Sequence, residues 1–226
     1  MFDILQLQED FIVINKFHNV SVHKDDGDTM LLQEVAKVTK DNQLYLVHRL
    51  DKMTSGILLL ARNRQAAREL STLFAQRSIE KYYVAIGSKK PKKKQGLISG
   101  DMERSRRSSW KLTNSKNNPA VTQFFSLAGE AGERIFLCKP YTGKTHQIRV
   151  ALKSVGSSIV GDRIYNPSCI SDRGYLHAYA IRFKFQNEIV SLIAPPSMGE
   201  KWQSTEMLMA LEQWDTPWDL PWPTIK

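Results

Sequence analysis

The sequence predicts an α+β fold, a mixed and largely antiparallel β-sheet with helices packed on it. Segments with strand character outnumber helical ones, and many are joined by short turns, which favours antiparallel pairing. One segment, Ile57-Leu58-Leu59-Leu60, is apolar at every position, as in a strand buried on both faces. The 226 residues suffice for a sizeable core, show no internal repeat and predict a single compact unit spanning residues 1–226.

In order, residues 1–23 alternate loosely and are rich in Ile, Val and Phe, and Phe11-Ile12-Val13-Ile14-Asn15-Lys16 reads as a strand. Asp25-Asp26-Gly27-Asp28 reads as a loop, and the spacing predicts a helix over 29–40 with Leu32, Val35, Ala36 and Thr39 inward. Residues 44–61 supply strand, loop and strand. Asn63 can cap a helix reaching about residue 77, with Ala67, Leu70 and Phe74 on one face. The β-branched and aromatic run 81–87 reads as a strand. Residues 120–127 and 134–139 read as two strands around a Gly-containing turn. A helix then follows, capped by Thr145, striped by Ile148, Leu152 and Val155, and closed by Gly156. Residues 175–185 and 188–193 form a hairpin around Gln186-Asn187, and 200–213 is the last helix. In the tail 214–226, the prolines argue against a helix. Trp214, Trp218 and Trp222 then lie along an extended segment, where they pack on the body of the chain or stack on bases.

Composition narrows the function. The apolar share is 42%, and no run approaches the ~20 apolar residues of a membrane span. The N-terminus lacks a basic region followed by an apolar one, and Cys138 and Cys169 lack metal-ligand spacing, which suits a reduced, cytoplasmic protein. The net charge is +9, and residues 87–118 alone hold ten Lys or Arg against two acids, so eight of the nine excess charges sit there. This Ser-, Lys- and Arg-rich insert reads either as a solvated loop or as a phosphate-contacting surface.

The chemistry concentrates at His48-Arg49-Leu50-Asp51-Lys52-Met53-Thr54-Ser55-Gly56, just ahead of the apolar strand. A carboxylate at the mouth of a buried strand is costly unless paired. In extended chain, Arg49 and Asp51 point to the same side. A lone Asp in a loop reads first as an ion-pair partner or turn residue. Three further strings accompany this one: Lys81-Tyr82-Tyr83; Thr142-Gly143-Lys144-Thr145-His146-Gln147-Ile148-Arg149-Val150; and Gly161-Asp162-Arg163-Ile164-Tyr165.

In this order, over roughly residues 2–203, these strings resemble the RluA-type pseudouridine synthases. The resemblance implies that the chain isomerises a uridine of ribosomal or transfer RNA, without cofactor or metal, as a monomer. It implies Asp51 as nucleophile, Tyr83 stacking on the flipped base, Arg149 paired with Asp51, and Arg49 filling the gap left in the RNA. The turn at Gly161 is taken as structural. Further RNA contacts are expected from His48, from Lys89, Lys90, Lys92, Lys93 and Lys94, and from Arg104, Arg106 and Arg107. The chain departs from the family in entering the catalytic fold without a preceding S4-like domain and in having Lys144 where Arg is common. Two alternatives stay open: an RNA-binding module without catalysis, and an RNA N-glycosidase. The second needs two carboxylates, and Asp162 is the nearest candidate partner.

Overall fold

The computed structural model describes residues 1–22 and 28–225. It is a mixed α+β arrangement of twelve strands and four α-helices among the described residues. In chain order these are β1 (Phe2–Leu7), β2 (Phe11–Lys16), α1 (Asp28–Thr39), β3 (Tyr45–Leu46), β4 (Ser55–Ala61), α2 (Arg64–Ala75) and β5 (Glu80–Gly87). Then come β6 (Gln95–Gly100), β7 (Met102–Arg104), β8 (Trp110–Leu112), β9 (Ala120–Ala128), β10 (Arg134–Pro140) and α3 (Gln147–Ser154). The chain closes with β11 (Leu176–Phe185), β12 (Glu188–Ile193) and α4 (Thr205–Gln213).

Ten strands form one sheet, ordered β1-β2-β4-β11-β5-β10-β9-β6, with β12 paired to β11 and β3 to β4. Every pairing is antiparallel except β4 with β11, which meet in parallel at Ser55–His177 and Gly56–Ala178. Gly56 sits at φ +108°, and a Cβ there would lie 2.3 Å from the Ala178 carbonyl oxygen, so only glycine lets the two strands close. This junction joins two hydrophobic cores. One gathers β2, β4, α1 and α2; the other gathers β5, β9, β10, α3 and α4. β11 contributes side chains to both.

The all-apolar segment is the central strand β4, and Ile57, Leu58, Leu59 and Leu60 are buried. Asn63 caps α2, its side chain accepting the Ala66 N–H at 2.8 Å. Other expectations shift. The loop expected at 25–28 lies outside the described residues, apart from Asp28, which already opens α1. In α1 the deepest side chains are Leu31 and Val35, with Leu32, Ala36 and Thr39 half-buried beside them. The last helix breaks at Ser204, whose hydroxyl accepts the Met207 N–H, leaving a 3₁₀ turn at Glu200–Gln203. The basic insert carries order: β6 extends the main sheet along β9, and β7 and β8 form a separate hairpin.

The tail packs on the body. Trp214 is buried, Trp222 lies 5.7 Å from Tyr82 and 4.8 Å from Phe125, and the Arg182 guanidinium lies 5.6 Å from the Trp218 ring centroid. It is not extended throughout, because Pro217–Asp219 makes a 3₁₀ turn, which proline tolerates in a first turn.

Candidate active site

Asp51 stands just ahead of the buried strand β4. Leu50 is buried and anchors the loop, and the successive residues His48, Arg49, Leu50 and Asp51 all line a cleft of about 500 Å³. The Thr54 N–H donates to the Asp51 carbonyl at 3.0 Å, turning the chain into β4. Beneath the loop the buried Lys16 ammonium donates to the carbonyls of Val20 at 2.8 Å, Phe17 at 3.0 Å and Lys52 at 3.5 Å.

Opposite lies α3, and here the sequence misleads twice. Arg149 lies off the Ile148–Leu152 stripe, which on an ordinary surface helix means solvent. Yet residues Gln147 to Leu152 are all buried, because α3 also packs against β8, β9 and β10. Arg149 is only 4% exposed and faces the cleft. Nor does Thr145 cap the helix. The cap position is His146, in the left-handed region at φ 57° with no capping side chain. The Gln147 amide does the holding instead. Its oxygen accepts from the Thr142 hydroxyl and the Lys144 N–H, and its nitrogen donates to the Val121 carbonyl and the Thr122 hydroxyl. All the donors and acceptors of that amide in reach are used, so the loop 142–146 is pinned to β9.

The Arg149 guanidinium joins two carboxylates. Its Nε and Nη2 donate to Asp162 at 2.7 and 2.8 Å, and its Nη1 donates to Asp51 Oδ2 at 3.0 Å. Asp162 is fully buried and also accepts the N–H groups of Ile164 and Tyr165. The Gly161 turn thus supplies the carboxylate that orients the arginine. Burial works against the Arg149 charge, but the Asp162 pair more than offsets it, and the arginine pKa stays above its ordinary value. Such a fork is planar and bidentate, so its third nitrogen reaches Asp51 in a fixed direction.

Tyr83 and Lys81 share a face of β5 and line the cleft, while Tyr82 turns to the opposite core, as the strand period requires. Burial, with the charge of Asp51 nearby, pushes the Tyr83 hydroxyl well above its usual pKa. Burial also lowers the Lys81 amine, helped by Arg77. His48 is fixed in place. Its Nε2 accepts the Leu59 N–H at 2.9 Å, its ring stacks on Phe74 at 4.5 Å, and burial takes its pKa down to about 3. That nitrogen is engaged with the body of the chain. Lys89, Lys90, Lys92, Lys93, Lys94, Arg104, Arg106 and Arg107 are exposed and line no part of the cleft.

Two contributors escaped the residue-level reading, and a third, Asp162, entered it only as a second carboxylate for hydrolysis. His146 Nε2 stands 4.0 Å from Asp51 Oδ2, and its Nδ1 is 2.9 Å from the Tyr165 hydroxyl. Tyr165 lies under the Arg149 guanidinium, 4.9 Å from ring centroid to Cζ. Asp162 completes the set. All three lie inside the strings that carried the resemblance, but nothing in their spacing reveals that they meet. Among the described residues, no group of three or more His, Cys, Asp or Glu side chains is placed to hold a metal, and no helix is long and apolar enough to cross a membrane.

Comparison with known proteins bears on this geometry. A family profile described as RNA pseudouridylate synthase matches residues 10–154. An uncharacterized RNA pseudouridine synthase of Haemophilus influenzae is 48% identical over 201 residues, covering 88% of this chain and 90% of that protein. A ribosomal large subunit pseudouridine synthase C of Vibrio parahaemolyticus is 30% identical, covering 80% of this chain but only 61% of the longer relative. The solved structure of human RNA pseudouridylate synthase domain containing 1 superposes with a TM-score of 0.75 at 26% identity, covering 99% of this chain and 97% of that one.

Proposed function

The chain belongs to the RluA-type family of RNA pseudouridine synthases, and on that footing we propose that it converts one particular uridine of a folded ribosomal or transfer RNA to pseudouridine, with Asp51 as nucleophile. The observation that carries this reading is the single guanidinium shared by Asp51 and Asp162 at the cleft. The isomerisation breaks the N1–C1′ bond, turns the base and rejoins it through C5, so no atom is added and no electron leaves. It calls for one ionised carboxylate at the junction of sugar and base. Arg149 donates to that carboxylate from Nη1 and holds one oxygen in a set direction.

The target uridine leaves its helix and enters the cleft, at a cost of a few kcal/mol. The Tyr83 ring stacks on the flipped base, and Arg49, exposed at the rim, occupies the space it vacates. The exposed cations of the insert hold the backbone without reading sequence. The name of the Vibrio relative favours ribosomal RNA as substrate. The chain works as a monomer in the cytoplasm.

The same geometry weakens the hydrolytic alternative. An N-glycosidase needs a second carboxyl group free to act as acid, and Asp162 is fully buried with both oxygens committed to Arg149. The deciding experiment is Asp51→Asn. Pseudouridine formation falls on the order of 10⁴-fold or more while RNA affinity is kept. A mutant as fast as the wild type removes Asp51 from its role, and release of free uracil by the wild type reinstates hydrolysis. Pseudouridine mapping of cellular RNA with and without the gene names the site.

A further inference from the structure

His146 lies beside Asp51 without a hydrogen bond to it, and a chain of contacts behind it fixes what it presents. The backbone N–H of Trp110, on β8, donates to the Tyr165 hydroxyl oxygen at 2.9 Å. An amide N–H can only donate, so the hydroxyl accepts there and has its own hydrogen to give. The partner found for that hydrogen is His146 Nδ1, 2.9 Å away. Nδ1 then carries a lone pair, and the hydrogen of the neutral ring sits on Nε2, the nitrogen facing Asp51 Oδ2.

Resting on the function proposed above, we infer that His146 is a positioning residue that presents a fixed Nε2–H to the Asp51 carboxylate, and that the β7–β8 hairpin imposes this tautomer through Tyr165. The opposite tautomer would turn a nitrogen lone pair toward a carboxylate oxygen, and the two repel. The charged groups that act on the ring are Asp51, Asp162, Arg149 and Arg49. Burial dominates among the influences on its basicity and lowers it below the usual histidine value, with Arg149 acting in the same direction and Asp51 opposing. The ring is therefore neutral at pH 7, and the tautomer matters. Arg104, Arg106 and Arg107 lie on or beside the turn of the same hairpin, so an RNA seated there firms the chain of bonds that ends at Asp51.

Two substitutions separate this role from simple packing. Tyr165→Phe keeps the ring beneath Arg149 and Lys153 but removes the hydroxyl. His146→Gln places an amide N–H near the position of Nε2, whereas His146→Ala does not. Long-range ¹⁵N–¹H spectra of the full chain without RNA, assigned by comparison with His146→Gln, read the tautomer directly. The wild type is expected to show the Nε2–H form, and Tyr165→Phe a mixture. A wild-type ring protonated on Nδ1, or one unchanged in Tyr165→Phe, overturns the inference.

In turnover, Tyr165→Phe lowers kcat about tenfold, the loss of one hydrogen bond near a charge, with KM within about twofold. The same change adds nothing in a His146→Ala background, and His146→Gln retains more activity than His146→Ala. Independent, multiplying losses overturn the inference. A wild-type chain that forms no pseudouridine refutes the proposed function instead, and the spectra then decide the tautomer by themselves.

Discussion

Replacing Asp162 by Asn tests the arrangement at its most buried point. The side chain is nearly isosteric, so packing changes little. Oδ1 is retained and can still accept from Ile164 and Tyr165, but an NH₂ now replaces Oδ2 and faces the Arg149 Nε–H at 2.7 Å, donor against donor. Arg149 is 4% exposed and Asp162 not at all, so water cannot take over the lost partner. Breaking such a pair from one side costs about 3 to 5 kcal/mol, and the remaining contact to Asp51 holds the cost near the lower end. For a chain of this length, ~3 kcal/mol lowers Tm by about 6 to 12 °C, readable by scanning calorimetry. The guanidinium also loses its fixed direction, so pseudouridine formation drops about 10²-fold, as when one preorganised donor is removed. The paired change Asp162→Asn with Arg149→Met removes the unpaired buried cation while Oδ1 still accepts from Ile164 and Tyr165. Stability rises above that of the single mutant and activity does not. A single mutant that melts within 2 °C of wild type and turns over normally (a shift below about 1 kcal/mol) refutes the reasoning, as does a double mutant no more stable than the single one.

Three other perturbations have definite outcomes. His177 is buried, with Nδ1 against the Ser55 hydroxyl at 2.8 Å and Nε2 against the Ala194 carbonyl at 2.7 Å, and burial takes its pKa from 6.5 to about 3. The unfolded chain thus binds the extra proton first, and stability is lost as pH falls from 6.5 toward 3, by roughly 4 kcal/mol at most from this residue; a flat urea midpoint between pH 6.5 and 4 contradicts it. Removing residues 214–226 uncovers Tyr82 and takes away the buried Trp214, costing at least about 3 kcal/mol; unchanged melting with lost activity would reassign the tail to RNA. Changing Lys89, Lys90, Lys92, Lys93 and Lys94 to Gln flattens the salt dependence of RNA binding, by as much as about 3.5 in logarithmic slope if all five meet phosphate. An unaltered slope would leave these lysines as solvated surface.

What could be read from the chain in advance follows physical lines. β4 was legible because four consecutive apolar residues leave no polar face, and α2 because Asn63 supplies the cap and Leu70 the stripe. Strand alternation separates Tyr82 and Tyr83 onto opposite faces, and the resemblance assigns Tyr83 to the site. Arg149 was hidden to residue-level reading, since helical periodicity identifies one buried face and cannot announce that the other is covered too. Asp162 and His146 were hidden for a different reason. His146 meets a carboxylate far along the chain, and Asp162 meets Arg149 across a turn between elements, so no local pattern encodes either meeting. The order within the basic insert escaped because Lys and Ser mask strands whose stability comes from pairing with β9 and with each other.

The parallel junction between β4 and β11 has a consequence in time as well as space. Asp51 and Arg149 are separated by 98 residues and lie at elements of different cores, β4 and α3, and the strand that joins those cores comes later than either. A chain emerging from the ribosome therefore carries its carboxylate long before the cation that completes it. Contacts so distant in sequence form late, because the loop must close before they are rewarded. On the mechanism proposed above, a half-made or half-unfolded molecule is silent toward RNA even with its first core intact, and turnover during refolding reports when the two halves meet.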